Sequence, residues 1–227
     1  MENAFLIRVL ETHPDTETHV LGNSVAVYEP RSESWLFRLE NEGDFTELYR
    51  RAKAPVGTFY ASGKAFFGEM KTVFPDARGQ EYVQYVMDSK MFVFNHEAVN
   101  PEIEVVPIDK GWTDFILSIY KSKEFSKREY IDRCIELNPG FGALLNGEKV
   151  GYILIHLDGE VGSMTILEKA RGHGIGKTLM QYINKPYAAQ ASIGVGFVLP
   201  ENRASQRMMS KSCYVPFDRK ILWVYHG

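Results

Sequence analysis

The amino-acid sequence predicts an α/β protein built around a mixed sheet, and three observations support this fold class. Two turn sequences, Asn146-Gly147 and Asp158-Gly159, separate apolar runs and so predict a meander of antiparallel strands. The last run, residues 161–167, leads into a glycine-rich segment at 171–176. A helical pattern and another apolar run follow, which predicts a β-α-β unit with parallel strands and a right-handed crossover.

The other elements of the C-terminal half follow from the same patterns. Strands are predicted at 103–106, 142–145, 150–157, 161–167, 192–199 and 221–225. Helices are predicted at 112–120, at 127–137, from Ile175 until Pro186, and at 202–211, where Asn202 or Glu201 can act as the N-cap. The resulting order, β, α, α, β, β, β, α, β, α, β, occupies residues 101–227, which is enough for one domain.

Residues 1–100 show a second α/β pattern. Strands are predicted at 24–28, 34–39, 56–60 and 91–94, and helices at 45–52 and 65–73. The segment 75–79 is predicted to be a turn or an exposed loop. We expect this half to support the fold or to form one wall of a substrate pocket.

The glycine-rich segment Arg171-Gly172-His173-Gly174-Ile175-Gly176 places backbone N–H groups at a helix N-terminus, an arrangement that binds diphosphate. The P-loop is excluded because three residues, not the required four, lie between Gly172 and Gly176-Lys177-Thr178. The glycine spacing also differs from G-x-G-x-x-G. The segment resembles [Q/R]-x-x-G-x-[G/A], the coenzyme A loop of the GNAT superfamily of N-acetyltransferases. The alternative is a glycine turn that only lets a helix pack closely on a sheet.

A narrower resemblance is to the glycine N-acyltransferase family. It lies in residues 126–135, in Gly159-Glu160 eleven residues before Arg171, in 171–174, and in 202–216. The resemblance implies a GNAT acyl-CoA acyltransferase fold at 101–227 and a degenerate GNAT-like half at 1–100. It also implies acyl-CoA as co-substrate, and glycine or another amino acid as the amine acceptor.

Composition excludes several classes of protein. The chain has 227 residues, a net charge of −3 and 44% hydrophobic residues, which argues against a nucleic-acid surface and provides material for a core. Two cysteines and six histidines without metal spacing predict neither a disulfide framework nor a metal site. We expect no membrane partner, and a cytoplasmic location, or a mitochondrial one by family resemblance alone. The sequence leaves the oligomeric state open.

The expected coenzyme A contacts are of two kinds. Glycine backbone and nearby cations would hold the diphosphate, while the end of the strand before the loop would offer backbone groups to the pantetheine arm and to the thioester oxygen. Asn202 is expected to touch the pantetheine arm as well as to cap its helix. The predicted cofactor-binding residues are Ile166, Leu167, Arg171, Gly172, His173, Gly174, Ile175, Gly176, Lys177 and Asn202.

Glu160 is the predicted catalytic base, because an amine must lose a proton before it attacks. The family resemblance supports this role, whereas a glutamate beside a turn is otherwise most often a solvated surface residue. Many superfamily members have a tyrosine where this chain has Met209, so Tyr214 or Ser210 is considered as a substitute acid. His156 is predicted to be a satisfied sheet residue, and His173 to face solvent.

The sequence therefore predicts an acyl-CoA-dependent N-acyltransferase that acts on a small amine. Two alternatives remain open at this stage. One is the same chemistry with another acceptor, such as a protein N-terminus, a lysine or a polyamine. The other is a catalytically inactive fold that binds coenzyme A or a protein partner without turnover.

Overall fold

The structure is a computed structural model that describes residues 3–52, 58–62, 65–120 and 127–225. The helices are α1 (Ala4–Thr12), α2 (Asp44–Ala52), α3 (Ala65–Val73), α4 (Thr113–Ile119), α5 (Arg128–Leu137), α6 (Ile175–Gln190) and α7 (Arg203–Ser210). The strands are β1 (Glu17–Leu21), β2 (Ser24–Glu29), β3 (Ser34–Arg38), β4 (Thr58–Ser62), β5 (Arg78–Asp88), β6 (Ile103–Pro107), β7 (Phe141–Leu145), β8 (Glu148–Ile155), β9 (Val161–Ile166), β10 (Ile193–Val198) and β11 (Val215–Tyr225).

The described strands form two sheets. A four-stranded antiparallel sheet has the order β6-β7-β8-β9, and a seven-stranded sheet has the order β1-β2-β3-β4-β11-β5-β10. The predicted meander is confirmed, with Asn146 and Gly147 both at positive φ in its first turn. The mixed α/β fold class is confirmed as well.

The seven-stranded sheet joins the two parts of the chain that the sequence separates. β5, from residues 1–100, lies between β10 and β11 and pairs antiparallel with both. β11, from the C-terminal part, lies in turn between β5 and β4. The final strands of the two parts are thus interleaved, so the seven-stranded sheet contains strands from both parts.

Helix α6 packs between the two sheets and positions the site. Its buried face includes Ile175, Leu179, Ile183 and Tyr187, which share one core cluster with residues of both sheets. Burial of these apolar side chains stabilises the helix against the sheets. The helix continues through Pro186 to Gln190, so the prediction that it ends at Pro186 is wrong; this packing outweighs the one lost backbone hydrogen bond.

Two other predictions are corrected by the structure. The predicted parallel pair of strands on either side of α6 is not hydrogen-bonded in the described chain, because β9 and β10 belong to different sheets. Residues 91–94 do not form a strand, since Ser89–Met91 is a 3₁₀ turn followed by irregular chain. The predicted strand at 56–60 is observed as β4 from Thr58 onwards. Residues 56 and 57 of that prediction lie outside the described residues, and so does Ser126, the first residue of the segment that resembles glycine N-acyltransferases.

Candidate functional site

The site lies where the edges of the two sheets meet and then separate. A Cβ atom on Gly196 of β10 would lie 3.1 Å from the carbonyl oxygen of Val161 on β9, so the two strands are in contact there. Farther along, the strands enclose a cavity of about 350 Å³. It is lined by Tyr82, Tyr120, Ile153, His156, Glu160, Val161, Gly162, Ser163, Met164, Met180, Phe197, Val198, Leu199, Asn202, Ser205, Met208, Met209 and Trp223.

A β-bulge in β9 shapes this cavity. The pairing of β8 with β9 shifts register between Tyr152 and Leu154, which leaves Ser163 and Met164 opposite one residue of β8. Ser163 has φ 49°, a left-handed conformation that is costly for a residue other than glycine. The bulge places both side chains in the cavity.

Glu160 immediately precedes β9 and is 3% exposed, so it is not a solvated surface residue. Its Oε2 atom is buried and accepts no hydrogen bond from the described residues. Burial, and next the nearby Asp158 carboxylate, raise the pKa of Glu160 well above its ordinary value. The group is thus held in the cavity wall in a form that binds a proton more readily than an exposed glutamate.

The backbone around Glu160 is fixed from several sides. Its carbonyl oxygen accepts the His156 N–H at 2.9 Å, and its own N–H donates to Asp158 Oδ1 at 3.2 Å. The Tyr187 hydroxyl of α6 lies 2.7 Å from the carbonyl oxygen of Gly159 and 3.0 Å from that of Val195 on β10. The turn is therefore tied both to α6 and to the neighbouring sheet.

His156 belongs to a hydrogen-bonded network in the same wall. Its Nδ1 atom is 2.6 Å from the Tyr130 hydroxyl, and its Nε2 atom is 3.0 Å from Ser163 Oγ, which donates to the Tyr120 hydroxyl at 3.1 Å. Burial lowers the pKa of His156 to about 4, so the ring is neutral at pH 7. His156 is thus hydrogen-bonded, as the sequence predicts, and it also lines the cavity.

Gly162 lets Glu160 and His156 approach each other. The Nε2 atom of His156 is 3.9 Å from the Oε1 atom of Glu160, too long for a hydrogen bond. A Cβ atom on Gly162 would lie 2.8 Å from that Nε2 and 2.9 Å from that Oε1. Any side chain at position 162 would therefore displace one of the two groups.

The glycine-rich segment forms an open loop at the start of α6. Gly172 has φ 90° and Gly174, the N-cap of α6, has φ 75°, both in the region that favours glycine. Arg171, Gly172, His173 and Gly174 are exposed, and Lys177 on the first turn is exposed too. The first intrahelical bond there is from the Thr178 N–H to the Gly174 carbonyl, which leaves the N–H groups of residues 175–177 without helical partners.

The remaining members of the predicted loop have structural roles as well. Ile175 is 2% exposed, so its side chain belongs to the core and only its backbone faces the loop. A Cβ atom on Gly176 would lie 3.3 Å from Met208 Sδ and 3.4 Å from Ile166 Cδ1. The close-packing alternative thus also describes Gly176. The His173 ring is near the Ala170 carbonyl at 3.2 Å, and its own carbonyl accepts from Asn100.

The two residues predicted at the end of β9, Ile166 and Leu167, direct their backbone groups to opposite sides. The N–H of Leu167 donates to the Val150 carbonyl at 2.8 Å and so points toward β8. Ile166 precedes Leu167 on β9 and is paired with Gly151 of β8. In an antiparallel ladder the backbone N–H and C=O groups of successive residues point to opposite sides of the strand, so those of Ile166 point away from β8. The backbone of Ile166 consequently faces the open edge between β9 and β10.

The α7 residues lie across the cavity from β9. Asn202 lines the cavity and caps α7 by accepting from the Ser205 N–H at 3.1 Å, as the sequence predicts for the cap. Met209 is 4% exposed and contributes a thioether to the lining. Neither substitute acid fits: the Tyr214 hydroxyl is buried and donates to Asn184 at 3.0 Å, and Ser210 is exposed outside the lining.

Sequence reasoning missed Tyr82 and Tyr120 as lining residues. Tyr82 lies on β5, a strand the sequence analysis left unassigned although Tyr82 and Gln84 alternate with Val83 and Tyr85 there. Tyr120 is the residue that ends α4. Its position near Ser163 depends on a contact between residues 43 apart in the chain, which no local pattern contains.

Comparison with known proteins finds a family match in the C-terminal half of the chain. Residues 108–213 match the family described as Acetyltransferase (GNAT) family. None of the curated proteins matches the chain. Among described residues, no group of three or more His, Cys, Asp or Glu could hold a metal ion. No described helix has the length and apolar character needed to cross a membrane.

Solved structures share the fold at low sequence identity. A Drosophila protein is 14% identical with a TM-score of 0.71, over 92% of this chain and 78% of the other. A putative acetyltransferase from the GNAT family of Novosphingobium aromaticivorans is 13% identical with a TM-score of 0.60, over 98% and 99%. A GCN5-related N-acetyltransferase from Kribbella flavida is 10% identical with a TM-score of 0.58, over 98% and 93%.

These likenesses establish the fold, and the family match locates its domain. The protein has the GNAT fold, and its segment 108–213 matches the model of the GNAT acetyltransferase family. The narrower resemblance to glycine N-acyltransferases is not tested by these comparisons.

Proposed function

We propose that this protein is an acyl-CoA-dependent N-acyltransferase that transfers the acyl group of a thioester to the amine of a small acceptor. One observation carries the proposal. The Oε2 atom of Glu160 is buried without a hydrogen bond from the described residues, in a cavity that adjoins an open helix N-terminus. A proton acceptor and a diphosphate site are the two features that this reaction needs most.

The start of α6 fits the diphosphate of coenzyme A. Unpartnered N–H groups at residues 175–177 and the positive end of the helix dipole favour an anion there. Gly172 and Gly174 allow backbone to approach oxygen atoms, while exposed Arg171 and Lys177 add positive charge. Close packing accounts for the glycine at position 176. It does not account for Gly172, where a Cβ atom would meet no described atom within 4 Å.

The pantetheine arm would extend from this loop along the open edge of β9. Backbone groups of Ile166 face that edge, and Asn202 lies on the opposite wall. The cavity begins beside Gly176, where Met164 and Met208 are near neighbours. Flexible thioether side chains at Met164, Met208 and Met209 suit acyl groups of more than one shape.

Glu160 takes the proton that the amine must lose. As the nitrogen forms its bond to the carbonyl carbon and the carbon–sulfur bond breaks, the proton goes to Oε2 of Glu160 directly or through water. The neutral His156 ring keeps this wall free of a second charge. The departing thiolate takes up a proton from solvent or from a hydroxyl group in the cavity wall. The hydroxyls of Tyr120 and Ser163 line the cavity and are hydrogen-bonded to each other.

Resemblance to glycine N-acyltransferases makes glycine or another amino acid the first acceptor class to test. A protein-interaction or coenzyme A-binding module without turnover is the second candidate, and Met209 favours it because methionine cannot donate a proton. A polyamine or protein amine is a third acceptor class.

We also propose that residues 1–100 are a degenerate half of the same fold. β3 and β4 are parallel and are connected through α2, as β9 and β10 are connected through α6. The interleaving of β5 and β11 suits two related halves that have exchanged their last strands.

A thiol-release assay tests the proposed function. Acetyl-, benzoyl- and longer acyl-CoA donors are incubated with wild-type protein and a panel of amino acids, amines and polyamines, and amide products are verified by mass spectrometry. We expect thiol release that depends on the acceptor. Binding of coenzyme A by calorimetry with no amide from any pair would instead support the module without turnover.

A further inference from the structure

The cavity has two chemically different walls, since successive side chains of a strand point to opposite faces. On β10, Val198 packs in the core cluster that contains α6, whereas Phe197 contacts Phe5 of α1. The registers of β10, β5 and β11 place Tyr82 and Trp223 on the same face as Phe197. Met164, Met208 and Met209 thus form a methionine wall on the α6 side of the cavity. Tyr82, Phe197 and Trp223 form an aromatic wall on the other side.

The aromatic wall is continuous. The rings of Tyr82 and Trp223 have centroids 4.4 Å apart, and those of Phe197 and Trp223 are 5.4 Å apart at 79°. Tyr120, from the end of α4, lines the same cavity. Glu160 lines the same cavity as these rings, so an acceptor whose amine lies at the Glu160 carboxyl shares the cavity with them.

The charge of this site is one-sided. Glu160 is the acidic lining residue, His156 is neutral at pH 7, and no arginine or lysine occurs among the lining residues that the structure describes. A carboxylate on the acceptor would therefore be buried beside Glu160 without a cation to pair with it. Burying an unpaired charge is strongly unfavourable, whereas burying a ring or alkyl chain here is favourable.

From this arrangement we infer that the acceptor is a primary amine with an apolar, preferably aromatic, body and no carboxylate. The inference rests on the proposed function and narrows it, because it disfavours glycine and other amino acids.

A matched pair of acceptors tests the inference. Phenethylamine and phenylalanine differ only in the carboxylate, and n-propylamine lacks the ring. With acetyl-CoA as donor, we expect kcat/KM for phenethylamine to exceed that for phenylalanine by about 100-fold or more. Equal or faster amide formation from phenylalanine or glycine would overturn the inference.

A variant of the aromatic wall separates the ring from the amine. Tyr82 is half-buried, so Tyr82→Leu is less disruptive than replacing the buried Trp223. We expect Tyr82→Leu to lower the ratio of kcat/KM for phenethylamine to that for n-propylamine about tenfold, through KM. Met91→Ala, which changes an exposed side chain outside the cavity, serves as the control. An unchanged ratio in Tyr82→Leu would contradict the aromatic wall as the acceptor site.

Failure of the proposed function can be told apart from failure of this inference. If no amide forms from any acceptor, the binding of both ligands to protein saturated with coenzyme A is measured by calorimetry. Tighter binding of phenethylamine than of phenylalanine would then support the acceptor class while removing the activity. Equal binding, or tighter binding of phenylalanine, would overturn the inference in either case.

Discussion

The Oε1 atom of Glu160 and the Nε2 atom of His156 lie 3.9 Å apart on one wall of the cavity, and the glycine at position 162 leaves room for both groups. Both groups are buried, and burial changes their pKa values in opposite directions. A proton acceptor with a raised pKa thus lies beside a ring that stays neutral. The predictions below follow from this pair and from the loop that begins α6.

Gly162→Ala is expected to reduce turnover strongly while coenzyme A still binds. Its Cβ atom would lie 2.7 to 2.9 Å from atoms of His156 and Glu160, so one of them must move. Misplacement of a reacting group by about 1 Å can cost about 100-fold in rate. The measurement is kcat for amide formation, together with calorimetric binding of coenzyme A.

Gly68→Ala is the matched control for that variant. Gly68 lies in α3, and a Cβ atom there would meet no described atom within 4 Å. We expect wild-type turnover and slightly higher stability, because alanine is the better helix former. Wild-type turnover in Gly162→Ala would show that the spacing of Glu160 and His156 does not matter for catalysis.

Gly172→Ala is expected to weaken coenzyme A binding about tenfold, or about 1.4 kcal/mol. Gly172 has φ 90°, and alanine at this conformation would shift the backbone N–H groups that we propose to bind the diphosphate. Gly43→Ala provides a close control, since Gly43 has φ 92° and both positions have open space around a new Cβ atom.

Both loop variants should lose a similar free energy of unfolding, about 1 to 2 kcal/mol. Only Gly172→Ala should raise the Kd for coenzyme A in calorimetry. Equal Kd values for the two variants would argue that the diphosphate binds elsewhere.

His156 is expected to make the fold sensitive to acid. Burial lowers its pKa to about 4 in the folded protein from an ordinary value of 6.5, so the neutral ring is favoured in the fold. The resulting stability is fully present above pH 6.5 and is lost as pH falls from 6.5 through 4, to a total of about 3 kcal/mol. Urea unfolding at pH 7 and pH 4.5 measures it.

His156→Asn should lose less free energy of unfolding than the wild type between those two pH values. His173→Asn, at an exposed loop position, should behave as the wild type does. A parallel decrease in all three proteins would mean that His156 is not the residue responsible.

Much of the C-terminal fold could be predicted because its signals are local. The Asn146-Gly147 turn, the glycine loop and the Asn202 cap each depend on a few adjacent residues, and the structure has all three. Glu160 could be placed in the site only through family resemblance, since its burial depends on Tyr187 and on strands distant in sequence.

The missed features depend on long-range pairing. β5 is inserted between β10 and β11, more than 100 residues away, and that pairing brings Tyr82 to the cavity. The β-bulge at Ser163 and the separation of β9 from β10 likewise arise from how two sheets meet. Alternation within a single strand does not contain this information, which is why a continuous parallel pair was predicted instead.

Glu160→Gln tests the proposed role of Glu160 as the catalytic base. Because the pKa of Glu160 is raised, its stabilising contribution is present below its ordinary pKa and is lost as pH rises through the raised value. Glutamine does not titrate, so the variant should be at least as stable as the wild type at pH 7 to 8, and a loss of activity would not reflect unfolding. Urea unfolding at pH 7.5 provides this control.

The decisive measurement is the pH dependence of amide formation by wild type and Glu160→Gln at saturating acetyl-CoA and amine. We expect the variant to lose turnover by about 100-fold or more at neutral pH, with a pH optimum shifted upward and the Kd for coenzyme A little changed. Wild-type turnover and an unshifted profile in Glu160→Gln would contradict the assignment of Glu160 as the base.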